Sequence, residues 1–361
     1  MSAPTPGEAA GDSPRVLFRS HNRRGLGHLM RALNVAREIR AISPGAGIVL
    51  HTRNPSTAQF CPPDVEWVLD DGNDPANGWH ATLRAVDPDV VVYDTMIPDD
   101  PYTEPIPAAA RVAYVMRRCA DERHQAIVES AFLERVDVAV VPHDRDEFDR
   151  PVPDSIADRL VFVGPIVRAP DPVRAACLRA RHGLDGATRV IVSSAGGGGF
   201  AETAEPFFDG VWDAHRRLGG DPGLRHVVVL GPHNGGAREA LPGMRLVKSE
   251  PDLVDLFALA DLVISEGGYN SVNEIRLVGA PACFVPGRRR WDDQLQRVRA
   301  LEARGLAAVV EPGPAADTGA RIAAIADDHA LLASLRRRNR ELPVLPGNHG
   351  AARAILGARA A

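Results

Sequence analysis

The sequence predicts an α/β protein built from two doubly wound parallel sheets that face each other across a cleft. Three observations carry this. Short apolar runs alternate with longer amphipathic ones along the chain, as in βαβ units stacked on a parallel sheet. The pattern is repeated, and each half opens with a strand, a glycine-rich loop and a helix. At 361 residues and 45% hydrophobic content, the chain can fill two cores.

In the first half, strands are expected at Val16–Arg19, Gly47–His51, Val65–Leu69, Val90–Tyr93, Val112–Met116 and Val138–Val141. Helices fall between them. Over Leu29–Ile39, residues Leu29, Leu33, Ala36 and Ile39 share one face, which suits a helix lying on a sheet. The half ends near Val161–Val167, and Ala169-Pro170-Asp171-Pro172 then reads as a linker.

In the second half, strands are expected at Val190–Ser194, His226–Leu230, Leu246–Lys248, Leu262–Ser265, Ala282–Val285 and Ala307–Val310, with helices near 202–218, 252–260, 270–278, 292–304 and 317–340. A last amphipathic piece, Gly350–Ala358, follows the breakers Pro343, Pro346 and Gly347 and is placed to cross back onto the first domain. The expected divisions are a disordered tail (1–13), an N-terminal Rossmann-like domain (14–165), a C-terminal Rossmann-like domain (166–345) and a closing helix (346–361).

The formal charge of −5 argues against a general nucleic-acid binder, whose phosphate affinity would need a basic surface. Cys61, Cys119, Cys177 and Cys283 are widely spaced, with neither a C-x-x-C pair nor a disulfide framework, and fit a reducing, cytoplasmic setting. No apolar stretch reaches the roughly 18 residues of a membrane span, and Met1–Ser13 lacks the apolar segment of a signal peptide. All but one of the 42 basic residues are arginine, the exception being Lys248, a bias that lowers the weight of runs such as Arg288-Arg289-Arg290 and Arg336-Arg337-Arg338 as evidence for phosphate binding. Clusters of Asn, Gln and Tyr are correspondingly more informative.

The first glycine loop, Gly25-Leu26-Gly27-His28, directly follows the first strand. Its glycines permit close backbone approach, and the helix beyond them presents unpaired N–H groups to an anion. Met30 occupies the third position of a G-x-G-x-x-G frame, so the dinucleotide fingerprint fails there. In the second loop, Gly196, Gly197 and Gly198 with Ala201 satisfy the looser form of that fingerprint, but the next strand ends Leu230-Gly231-Pro232-His233 without the carboxylate a dinucleotide ribose requires. A turn needed only for strand–helix packing is the competing explanation.

The densest polar cluster is Ser265-Glu266-Gly267-Gly268-Tyr269-Asn270-Ser271-Val272-Asn273-Glu274. It predicts a strand, a Gly-Gly turn, a cap at Asn270 or Ser271, and a helix whose first turn carries Glu274. A phosphate fits at such a helix end, and Glu274 one turn further on is placed to bond a pair of ribose hydroxyls. The competing role for Glu274 is a capping box. Downstream, Asp292, Asp293, Gln294 and Gln296 combine carboxylates with carboxamides, a set suited to sugar hydroxyls and equally to an acidic helix start.

Taken together, Ile264–Ile275, Gly279-Ala280-Pro281, Asp293-Gln294 and Gly305-Leu306-Ala307 resemble the C-terminal domain of family 28 (MurG-like) glycosyltransferases, and Gly25–His28 with Val163-Gly164-Pro165 resemble matching parts of that GT-B architecture. The resemblance implies two Rossmann-like domains across a cleft and a UDP-sugar donor with no separate cofactor and no metal. It puts the diphosphate at Gly267, Gly268, Asn270 and Ser271, the ribose at Glu274, the sugar at Asp293 and Gln294, and the uracil near Ser249 and Glu250. It also implies inverting transfer, for which His28 is the candidate base because an unperturbed histidine titrates near working pH. Asp94, at the end of the Val90–Tyr93 strand, would orient it or contact the acceptor. The acceptor is left unidentified, as a small molecule, glycan or lipid-linked species, and only a lipid-linked one would add peripheral membrane contact. Asp144-Arg145-Asp146 spells D-x-D but reads as a solvated loop.

Two departures keep alternatives open. Gly27-His28-Leu29-Met30-Arg31 is closer to the G-H-x-x-R loop of a UDP-sugar hydrolase of pseudaminic acid synthesis, for which water is the acceptor. Arg288–Arg290 is unlike the peptidoglycan enzyme, so its donor sugar does not carry over. A non-catalytic nucleotide-sugar-binding protein is the third reading.

Overall fold

The computed structural model describes residues 13–357 except 71, 72 and 199. Nearly all of the expected tail lies outside the described residues. The first sheet contains β1 (Arg15–Ser20), β2 (Gly47–Thr52), β3 (Glu66–Leu69), β4 (Val90–Asp94), β5 (Arg111–Val115), β6 (Val138–Val141) and β7 (Leu160–Phe162). Their spatial order is β3-β2-β1-β4-β5-β6-β7, and every pairing is parallel. The second sheet contains β8 (Arg189–Ser194), β9 (Leu224–Val229), β10 (Met244–Val247), β11 (Leu262–Ser265), β12 (Ala282–Phe284) and β13 (Ala308–Val309), in the order β10-β9-β8-β11-β12-β13 and again wholly parallel.

Parallel strands covered on both faces must be apolar throughout, and β4 and β6 are buried along their whole length. The helix Gly27–Ile42 puts Leu29, Leu33, Ala36 and Ile39 into one core with Val16, Phe18 and Val92. In the second domain, Phe207, Phe208 and Val211 of the helix Ala201–Leu218 pack on Ile191, Val228 and Ile264 in the same way.

The expected strands form within a few residues of their predicted bounds, and four local expectations are corrected. The end of the first half, where no strand was expected, forms β7, pairing with β6 from Ala139↔Leu160 to Val141↔Phe162. With three residues and half-exposed side chains, β7 is too short to carry a period-2 signal. The single helix expected at 317–340 is two, Ala315–Asp327 and His329–Glu341, because the Asp328 side chain accepts a bond from the Leu331 N–H at 2.9 Å and caps the second. The helix expected near 252–260 is only Leu253–Phe257. The one expected from 292 starts at Gln294.

Two chain segments join the domains. The helix Asn348–Leu356 buries Ala351, Ala352 and Ile355 in the first-domain core beside Val16 and Leu29. Where the segments cross, the Gly347 N–H donates to the Pro165 carbonyl at 2.7 Å, and the Asn348 side chain bonds both the N–H and the carbonyl of Val167, at 2.9 and 2.7 Å. A side chain at Gly347 would put Cβ 2.2 Å from the Val163 carbonyl oxygen, so the crossing requires glycine.

In each sheet the chain starts in the middle and winds outward in both directions. The strand order therefore reverses between β1 and β4 and between β8 and β11, and open α/β sheets leave their crevice at the carboxyl ends of such strands. The two crevices face each other. Among the described residues no helix is long and apolar enough to cross a membrane.

Candidate functional site

A cavity of 710 Å³ lies between the crevices, lined by the loops after β1, β4, β8, β11 and β12. The domains touch at its floor, where the Asn270 side-chain amide donates to the Gly27 carbonyl at 3.3 Å and the Tyr269 hydroxyl donates to the Pro142 carbonyl. Of the residues predicted for a site, Gly25, Gly27, His28, Gly196, Gly197 and Gly198 line the cavity from the two glycine loops. Ser249, Glu250, Gly268, Asn270, Ser271, Glu274 and Gln294 line its second-domain wall. Asp94, Gly267 and Asp293 lie outside the lining.

His28 is the second residue of the Gly27–Ile42 helix and is buried, with Nδ1 3.4 Å from Asp94 Oδ2. Asp94 ends β4 behind it. Asp94 therefore does not reach an acceptor directly; it touches His28 and is gripped by Arg31, whose Nε and Nη2 donate to its two oxygens at 3.1 and 2.8 Å. Burial opposes ionisation of Asp94, but Arg31 and then His28 outweigh it and hold the carboxyl well below the usual range. Thr95 follows with φ +61°, a left-handed conformation uncommon for a β-branched residue. Its hydroxyl donates to Asp94 at 2.7 Å, and its carbonyl accepts from the Tyr114 hydroxyl at 2.9 Å.

Across the cavity, Gly267 (φ +86°) turns the chain out of β11, and a Cβ there would lie 2.6 Å from Val298. The helix Tyr269–Val278 follows, with Gly268 at its N-cap and no side-chain cap. The expected cap at Asn270 or Ser271 is corrected, since both lie inside the first turn. The amides of Tyr269, Asn270 and Ser271 precede any intrahelical acceptor and open toward the cavity with the positive end of the dipole. Glu274 sits in the second turn, not the first, and caps nothing. Buried, it makes no hydrogen bond or ion pair among the described residues, and burial pushes its carboxyl up to about 8, with Arg168 offsetting part of the effect.

The remaining predicted positions divide by what holds them. Gly197 packs on the first glycine loop, where a Cβ would meet the Arg24 carbonyl at 3.0 Å. Gly198 packs on the Leu230 carbonyl, where it would meet at 2.4 Å, so close packing accounts for part of this loop's glycine content. The Ser249 hydroxyl is buried without a partner among the described residues. Glu250 is turned to His182 Nε2 at 3.1 Å and to the Asp252 N–H at 3.1 Å, which fixes the Ser249 turn. Asp293, expected to face a sugar, instead caps the Gln294–Ala303 helix by accepting from the Gln296 N–H at 3.0 Å. Gln294 accepts from the Gly287 N–H at 3.0 Å and keeps its amide donor for the cavity.

Sequence reasoning assigned no role to Arg31, Thr95 or Arg117, and it grouped Asp292 with the sugar-binding set, whereas Asp292 pairs with Arg117 across the domains at 2.7 Å. For Arg31 a signal existed: three residues after His28 on a helix, it shares that residue's face. Thr95 is set apart by its left-handed backbone, which no sequence pattern shows, and Arg117 and Asp292 lie 175 residues apart. Arg288, Arg289 and Arg290, discounted as compositional bias, all line the cavity. Among the described residues no three His, Cys, Asp or Glu side chains converge as a metal site, and Asp144-Arg145-Asp146 lies beyond the cavity lining.

Two Rossmann-like domains with opposed switch points and a cavity between them define the GT-B fold. The chain matches the glycotransferase of kitacinnamycin over 97% of its own length and 100% of that chain, with TM-score 0.62 and 20% identity. It matches the spinosyn forosaminyltransferase SpnP over 94% and 97%, with TM-score 0.63 and 17% identity. In sequence, 111 residues are 38% identical to the UDP-N-acetylglucosamine–N-acetylmuramyl-(pentapeptide) pyrophosphoryl-undecaprenol N-acetylglucosamine transferase of Saccharopolyspora erythraea, covering 30% of this chain and 28% of that protein. A stretch of 116 residues is 27% identical to the transferase of that name in Yersinia pseudotuberculosis, covering 32% and 33%. The chain thus spans about a third of the length of the curated relatives it matches, a distant similarity to the MurG-like family. No protein-family model matches.

Proposed function

We propose that the protein is a glycosyltransferase that moves a sugar from a UDP-sugar to an acceptor hydroxyl, with inversion and without a metal. The observation that carries this is the pairing of two opposed devices across one cavity. On one wall, an uncapped helix end and an unpartnered buried carboxylate stand together; on the other, a histidine is backed by an ionised aspartate. Nucleotide-sugar donors offer a diphosphate and a ribose diol, which the first device fits. The similarity of part of the chain to UDP-N-acetylglucosamine transferases supports uridine as the nucleoside.

In this mechanism the amides of Tyr269, Asn270 and Ser271 hold the diphosphate. As the bond from the anomeric carbon to the phosphate oxygen breaks, they take up the growing charge on the leaving UDP. Glu274 bonds the ribose hydroxyls, and the Ser249 turn faces the base. His28, with Nδ1 toward Asp94, has Nε2 left to accept the acceptor's hydroxyl proton as its oxygen attacks the opposite face of the sugar. Asp94 positions the ring and stabilises the cation that forms; Arg31 and Thr95 hold Asp94. The domains run over 14–165 and 166–345, with the acceptor on the first and the donor on the second.

Incubation with a panel of UDP-sugars, measuring UDP with and without candidate acceptors, tests this directly. UDP release that requires an acceptor, with a glycosylated product, is expected. Stoichiometric free sugar without acceptor would make water the acceptor and the protein a hydrolase, and binding without turnover would make it a sugar-nucleotide binding protein.

A further inference from the structure

Ten of the side chains lining the cavity are arginines, against five carboxylates. Arg31, Arg117 and Arg289 are neutralised within hydrogen-bonding distance by Asp94, Asp292 and Glu266, while Arg53 and Arg168 face Asp70 and Asp252. Arg23, Arg24, Arg123, Arg288 and Arg290 pair with no carboxylate among the described residues, and two of these, Arg123 and Arg290, share an aromatic neighbour. They converge on one ring from opposite domains: the Arg290 guanidinium lies 4.1 Å from the centroid of Trp291, and that of Arg123 lies 6.0 Å from it. Arg123 otherwise donates only to the Met96 sulfur at 3.2 Å, and its Nε is buried with no partner. The Ala120 N–H donates to the Trp291 carbonyl at 3.3 Å, so the Trp291 backbone is tied to the first domain where the two domains meet.

A diphosphate at the helix Tyr269–Val278 does not account for this pair. Met96 directly follows Thr95 in the loop after β4, which places Arg123 on the Asp94 side of the cavity, in the domain that does not supply those amides. Two guanidiniums held by an aromatic face, not by carboxylates, keep their donors available for an incoming anion, and the aromatic contacts limit the entropy lost on binding it.

We propose that Arg123, Arg290 and Trp291 form a second anion subsite that takes a carboxylate or phosphoryl group of the substrate other than the donor's diphosphate. This rests on the nucleotide-sugar reading above. The anion is carried either by the transferred sugar or by the acceptor, and the two sources are separable because the donor is present in one case and only its UDP portion in the other.

The test is calorimetric titration of the full chain and of an R123Q/R290Q double variant, with R290Q alone as a second variant on the more exposed side chain. UDP is titrated first and should bind all three proteins within twofold. UDP-glucuronate is then compared with UDP-glucose, and, on the UDP-saturated protein, glucose 6-phosphate is compared with glucose. At least a tenfold preference for the charged member in one arm, falling to under twofold in the double variant and falling part-way in R290Q, supports the subsite and names its source: the sugar in the first arm, the acceptor in the second. No preference in either arm, or a preference that persists in the double variant, overturns the subsite and leaves the nucleotide-sugar reading standing. Failure of UDP to bind the unmodified protein overturns that reading, and the subsite falls with it.

Discussion

Arg31 grips Asp94 through two nitrogens, at 3.1 and 2.8 Å, while His28 reaches the same carboxylate from 3.4 Å. The aspartate behind the candidate base is therefore a shared anion, charged under all working conditions. Removing either partner of the Arg31–Asp94 pair leaves a buried charge uncompensated, and Arg31→Met or Asp94→Asn should each lower stability by about 3 kcal/mol. The combined Arg31→Met/Asp94→Asn variant should lose less than the sum of the single effects, measured as a double-mutant cycle in urea. Additive losses would mean that the pair is not coupled.

His28→Ala should lower turnover by about 10²–10⁴-fold, the usual span for a general base. Its UDP affinity should stay within twofold, because none of the proposed UDP contacts comes from the first domain. A variant with full turnover would remove His28 from the mechanism.

Glu274 sets a pH dependence whose sign follows from burial. With its carboxyl pushed up to about 8 in the folded protein, the native state keeps a proton that the unfolded chain releases near 4.3. Stability contributed by this group is thus present at low pH and is lost as pH rises from about 4.3 to about 8. Glu274→Gln should match the parent near pH 4 and exceed it at pH 8.5 in a series of thermal melts of the free protein. Donor binding should behave oppositely: the ionised carboxylate is the better acceptor for two ribose hydroxyls, so UDP should release protons on binding at pH 7. The Gln variant should bind UDP about 10–100-fold more weakly, on the scale of a lost charge-assisted hydrogen bond. Equal proton release by the two proteins would detach Glu274 from the ribose.

At the domain crossing, Gly347→Ala would force Cβ to 2.2 Å from a backbone oxygen and should cost about 1–3 kcal/mol. Asn348→Ala strands the N–H and the carbonyl of Val167 and should cost a similar amount, about 1–3 kcal/mol. Calorimetric unfolding that shows the two domains melting as separate transitions in these variants, and together in the parent, would identify the crossing as their mechanical link.

The paired sheets were legible in sequence because buried parallel strands are apolar without interruption, as at β4, and because glycine loops sit where each sheet's order reverses. The Gly267–Glu274 segment was legible for a related reason: a tight turn and a helix start that opens on the cavity restrict residue type locally. What stayed hidden depends on distance along the chain. Nothing near Asp94 in sequence announces Arg31, and Asp292 meets Arg117 only after both domains have folded. Asp293 shows the converse ambiguity, in that a carboxylate beside a carboxamide is equally a helix cap, and its Oδ1 does accept from the Gln296 N–H. Arginine bias misled in its own way, by masking Arg290, whose lack of a carboxylate partner appears only in three dimensions.

In the proposed complex, the cavity between the sheets holds a UDP-sugar with its diphosphate on the second-domain helix end and its anomeric carbon toward His28. A crystal structure of the protein with UDP is the decisive test. Diphosphate oxygens are expected on the amides of Tyr269–Ser271, ribose hydroxyls on Glu274 and the base against the Ser249 turn. UDP seated on the first glycine loop, or Glu274 left without a ribose contact, would contradict this arrangement.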